Sequence, residues 1–230
     1  MTVAGPTARA FVNEFGDGPL RTAEVFALAK RSIDMDLNQI EELLQHPDRR
    51  IRLGAVSVMD FQARRRSTTS ERRRDLYELY LRRHDRIDDW SMVDRAAPWV
   101  VGGYLIDKPR DPLYELARSP HWWERRTAIT ATWPFIREGQ LDDTFGIAEL
   151  LIDDPEHFVQ TAVGGWLREA GKRDVGRLRS FLDRYAGRMP RTTLRMAIEH
   201  LDADERHHYR SITDRPHPSQ DSDETEREPS

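Results

Sequence analysis

The sequence predicts an all-α chain built from stacked helical hairpins, and three observations carry that prediction. Apolar residues recur at helical spacing from about residue 20 to 209. No run alternates with the period of two that a half-buried strand needs. Three segments echo one another: LLQHPDRRIRLGAV (43–56), LARSPHWWERRTAI (116–129) and LIDDPEHFVQTAV (151–163). Each ends one helix, turns through a proline and opens a second helix that reaches a small residue, Ala55, Ala128 or Ala162. The prolines Pro47, Pro120 and Pro155 lie 73 and 35 residues apart, two periods and one of a repeat near 36. The remaining unit falls near residue 84, where HDRIDDWSMVDRAA begins. A two-helix repeat of that length marks an α-solenoid of HEAT or armadillo type, in which stacking buries a shared core.

Within the unit near residue 84, Trp90, Asp94, Ala97 and Val101 fall on one helical face that is apolar except for the carboxylate. Pro98 cannot donate to the carbonyl of Asp94, so the helix is expected to kink there. In the next unit Trp122, Arg126, Ile129 and Trp133 share a face. That arrangement sets Arg126 between two aromatics, where a cation requires an anionic partner. Asp94, one repeat away, is the candidate. A structural ion pair and an active site explain the two residues equally well at this level. The paired glycines of VVGGYL and AVGGWL lie in helical patterns, so close helix packing is expected of them. Arg168, Lys172, Arg173, Arg191 and Arg195 cluster in the last units, a distribution that suits a concave groove for a curved polyanion or equally a set of solvated helix faces.

Composition narrows the classes. The 230 residues contain no cysteine, which excludes disulfides, iron–sulfur ligation and thiolate zinc sites and fits a cytosolic protein. No HExxH, GxSxG or GxGxxG motif is present, and no metal or cofactor is expected. No apolar run approaches the length of a membrane span. The net charge of −4 resides in residues 211–230, where six acids outnumber two arginines. Residues 1–210 are therefore read as one repeat domain of zero net charge, and 211–230 as an acidic disordered tail. The positive charge is almost all arginine, the residue suited to bidentate phosphate or carboxylate contact.

Residues 70–209 resemble the AlkD-like DNA alkylation repair glycosylases, which have a HEAT-like fold. RIDDWSMVDRAAPWVVGGYL resembles the family's tryptophan–aspartate block, WWERRTAI with FIR its arginine block, and AVGGWLREAGKRD with MPRTTLRMAIEHL its C-terminal block. The segment 1–40 fits less well, with only GDGPLRTA where a glycine–valine–proline stretch is expected. The resemblance implies excision of cationic N3- or N7-alkylated purines from duplex DNA by a monomeric cytosolic enzyme. It assigns Asp94 as catalytic aspartate, Trp90 as the tryptophan one turn before it, and Arg126 as the arginine beside the site. Arg125, Trp166, Arg168, Lys172, Arg173 and Arg191 are the expected DNA contacts. One departure is specific: Gly165 stands where the family has tryptophan, and Trp166 follows one place later, about 100° around a helix. Two other readings remain at this stage, a DNA-binding solenoid without catalysis and a protein–protein scaffold.

Overall fold

A computed structural model describes residues 5–16 and 21–212. In chain order the helices are α1 (Ala8–Phe15), α2 (Thr22–Arg31), α3 (Leu37–Leu44), α4 (Arg49–Arg64), α5 (Ser70–Arg82), α6 (Trp90–Ala96), α7 (Gly103–Leu105), α8 (Asp111–Leu116), α9 (Trp122–Thr130), α10 (Trp133–Arg137), α11 (Asp142–Leu150), α12 (His157–Gly171), α13 (Val175–Tyr185), α14 (Arg191–Ala197) and α15 (Ala203–Ser211). No strand occurs among the described residues. Residues 213–230, most of the expected tail, lie outside them, and Ser211 still belongs to α15.

The helices form two layers. One is a run of neighbours in chain order: α2 packs on α4, α4 on α6, α6 on α9, α9 on α12, and α12 on α14. Here this is called the front layer. The other contains α1, α3, α5, α8, α11 and α13, with α3 packed on α4, α8 on α9, and α11 and α13 on α12. Every front helix from α4 to α12 opens just after one of the four expected turns. The small residues Ala55, Ala128 and Ala162 are buried, as the echo required.

A recurring device closes these turns. The fourth residue of the front helix bonds back to the turn carbonyls. Arg52 donates to His46 and Pro47 at 3.3 and 3.1 Å, Arg125 to Ser119 and Pro120 at 3.0 Å each, and Gln160 to Asp154 and Pro155 at 3.0 and 3.4 Å. The two arginines also reach a carboxylate in the next unit's turn, Asp88 at 3.0 Å and Asp154 at 2.6 and 3.1 Å. Each turn is thereby fixed to its own helix and to its neighbour.

The unit near residue 84 differs. Asp89 caps α6 by accepting from the Ser91 N–H at 2.9 Å. The helix then widens at Pro98 into a π-helical turn over Ala97–Gly102, where the Gly103 N–H donates to the Pro98 carbonyl. The expected kink is thus a π-bulge: an extra residue in the turn accommodates the missing proline donor. On the opposite side of α6, Arg95 lies 4.6 Å from each of the Phe26 and Phe61 rings and pairs with the wholly buried Asp60 at 3.0 Å. Burial pushes the Asp60 carboxyl up, against the opposing pull of Arg95 and Arg64. This cation anchors α6 to α2 and α4 and leaves Asp94 on the free face.

Candidate functional site

Asp94, Arg126 and Thr161 are the fifth residues of α6, α9 and α12. Stacking therefore sets them side by side in one row across three units. The flanking members of the row are Leu53 of α4 and Arg195 of α14. Arg126 Nε donates to Asp94 Oδ1 at 2.9 Å and Nη2 to Oδ2 at 2.7 Å, a parallel two-bond fork. Its Nη1 donates to the Phe158 carbonyl and, at 3.3 Å, to Thr161 Oγ1. The Arg126 side chain is 8% exposed and that of Asp94 37%, so the carboxylate retains a path to solvent while its partner does not.

The helix carrying Arg126 is held from behind by a buried cluster. Thr127 Oγ1 lies 2.9 Å from His84 Nε2 and 3.0 Å from the Tyr80 hydroxyl. Burial drives the His84 pKa down to about 3, so its ring is neutral, and burial raises that of Tyr80.

Beside Asp94 opens a recess of about 410 Å³. Trp133, Ala162, Gly165, Trp166 and Met196 form its apolar lining, with Asp94, Arg126 and Arg168 among the polar residues of its wall. The Trp133 and Trp166 rings lie 5.4 Å apart at 36°, and Trp166 Nε1 donates to Thr130 Oγ1 at 3.2 Å. Trp166 therefore lines the recess despite its one-place offset, while Gly165 leaves a gap in the same wall. A Cβ at Gly165 would meet only Met196 Cε, at 3.7 Å.

The other expected residues divide. Trp90 begins α6 and is 45% exposed. It lines a neighbouring cleft with Phe26, Arg49 and Leu53 rather than the recess. Arg168 is held by Glu199 and, at 3.2 Å, by Glu169, which also binds Lys172 at 2.8 Å. Arg173 is exposed, and Arg191 donates to the Arg210 carbonyl at 2.9 Å. Arg125 is a scaffold residue in this structure: its guanidinium binds Asp154 and two turn carbonyls, the role Arg52 has two front helices earlier. Thr161, Trp133 and Met196 complete the site without having been singled out as site residues. For Thr161 the available signal was its repeat position.

The family model for DNA alkylation repair enzymes matches residues 7–201. The crystal structure of AlkD2 from Streptococcus mutans superposes with a TM-score of 0.58 at 14% identity, covering 85% of this chain and 98% of that one. A predicted DNA alkylation repair enzyme from Enterococcus faecalis gives 0.60 at 17% identity, over 85% and 93%. These two likenesses concern the fold. No curated protein matches the chain. With the family match spanning nearly all of the repeat domain, the chain belongs to the DNA alkylation repair enzyme family.

Proposed function

We propose that this repair protein is a DNA glycosylase that hydrolyses the N-glycosidic bond of cationic N3- or N7-alkylpurines in duplex DNA. The observation that carries the reading is a part-exposed carboxylate, Asp94, oriented by two bonds from Arg126 at the edge of an aromatic-walled recess. An alkylated purine cation is already a good leaving group. As its bond to C1′ breaks, the bonding pair goes to the base nitrogen and the base leaves neutral. Positive charge develops on the deoxyribose, where a fixed carboxylate stabilises it. Water then bonds to C1′ and loses a proton to Asp94 or to solvent. Because the fork holds both carboxylate oxygens, no reorganisation accompanies the step. Trp90, one turn before Asp94, can attract a cationic lesion through its ring face. The reading calls for no metal or cofactor and for a monomer acting on duplex DNA in the cytosol.

A non-catalytic DNA-binding role is favoured by one observation: the Asp94–Arg126 fork is also a complete structural ion pair. Incubation with duplex carrying a single 7-methylguanine separates the two. Release of free base supports the glycosylase. Tight binding of that duplex with no base released after long incubation would leave the binding protein.

A further inference from the structure

The recess beside Asp94 exceeds what a methyl lesion needs, and its chemistry is selective. Its polar wall atoms are already paired. Asp94 holds Arg126, Thr161 donates to the Phe158 carbonyl at 3.1 Å, Arg168 and Glu169 hold each other, and the Trp166 N–H is spent on Thr130. A nucleobase turned out of the helix is normally read through hydrogen bonds to its Watson–Crick edge. Such spare donors and acceptors are scarce here. What the recess offers is two indole rings with Ala162, Gly165 and Met196. Its volume of about 410 Å³ lies in the range of small-molecule sites.

The geometry points to a subsite for an apolar, ring-sized substituent on the lesion, with Gly165 as the residue that determines its size. The inference rests on the glycosylase reading for the placement of the lesion at Asp94. An aryl group on the alkylated nitrogen would stack on Trp133 and Trp166 while the charged purine stays beside the carboxylate. Offset or edge-on aromatic contact at such distances is attractive beyond simple burial. A side chain at position 165 would occupy that space, since a Cβ there has room and meets only the flexible end of Met196.

The test compares duplexes carrying one N7-benzylguanine or one 7-methylguanine, by equilibrium affinity and by single-turnover release. The wild-type chain is expected to favour the benzyl adduct about tenfold in affinity, the scale on which apolar pockets discriminate. Gly165→Leu should lower the benzyl-to-methyl ratio by at least that factor. If Gly165→Leu melts early, Met196→Phe fills the same space from α14. A ratio unchanged by a folded filling variant overturns the inference, as does a wild type without preference. The affinity arm works without catalysis. Benzyl preference without base release would reject the glycosylase and keep the recess. Base release without preference would do the reverse.

Discussion

Asp94 and Arg126 meet fork to fork across the α6–α9 boundary, at 2.9 and 2.7 Å, with the arginine buried and the aspartate open to solvent. The pair is asymmetric in water, and its two members should therefore behave differently when replaced.

Asp94→Asn keeps the shape of the carboxylate and removes its charge. Loss of a preorganised electrostatic group should slow single-turnover excision by about two orders of magnitude. Affinity for undamaged duplex should hold or rise, because a negative charge facing phosphates is gone. Excision at the wild-type rate would remove Asp94 from the chemistry.

Stability should follow burial rather than sign. Asp94→Ala strands a guanidinium that water cannot reach. A cost of about 2–3 kcal/mol is expected, below that of a fully buried pair because Asp94 is part-exposed. Arg126→Met instead leaves a carboxylate that can hydrate, and the methionine packs among apolar neighbours, so about 1 kcal/mol is expected. Chemical denaturation of both variants gives the order, and a larger loss for Arg126→Met would contradict it.

The row and the turn device assign Arg195 and Arg125 opposite roles. Arg195 holds the row's fifth position in α14 and is exposed, with no ion pair among the described residues. Arg195→Ala should reduce the slope of log affinity against log salt by about one, as for a lost phosphate contact. Arg125→Ala should lower the melting temperature and leave that slope unchanged. A salt slope altered only by Arg125→Ala would place that residue, and not Arg195, at the interface.

Much of this was legible in the sequence because solenoids are nearly one-dimensional. Three proline turns and the period between them located four of the front helices, and helical spacing placed Asp94 within reach of Arg126 one unit on. Roles inside the arginine pair were not legible, since Arg125 and Arg126 differ only in rotation about α9. One residue of rotation turns a side chain from the groove row to the turn. The recess was hidden for a related reason. It is assembled from α6, α9, α10, α12 and α14. Its defining residue contributes no side chain. Trp90 faces a cleft shared with residues of α2 and α4, a long-range packing that no local pattern records.

The buried ring of His84 ties stability to pH. Its pKa falls from 6.5 to about 3 on folding, so the unfolded chain binds a proton that the folded chain refuses between those values. This contribution is complete above pH 6.5 and is lost as pH falls toward 3. At pH 5 the difference amounts to about 2 kcal/mol. His84→Gln can still hydrogen-bond Thr127 and does not titrate, so its stability should fall less steeply from pH 7 to pH 5. Parallel pH profiles would show that the histidine is protonated alike in both states.

The two glycine pairs make the sharpest packing prediction, because each divides in the same way. A Cβ on Gly102 would lie 1.9 Å from the Ala131 carbonyl oxygen, and one on Gly164 would lie 2.6 Å from the Thr193 oxygen. Both obstacles are backbone, which cannot swing aside, so the helices would have to separate. Gly102→Ala is expected to cost about 3 kcal/mol and Gly164→Ala about 2 kcal/mol, the upper range for overpacking. The second glycine of each pair meets no such wall. At Gly103 the nearest atom would be 3.6 Å away, and at Gly165 it would be 3.7 Å away. Both lie in helical backbone, where exchanging glycine for alanine removes up to about 1 kcal/mol of conformational cost. Gly103→Ala and Gly165→Ala should therefore be neutral or stabilising. Urea titrations of the four variants test this directly. Equal losses at all four would mean that the second glycines also sit at close contacts, and Gly165 would then be a packing residue instead of the opening of a recess.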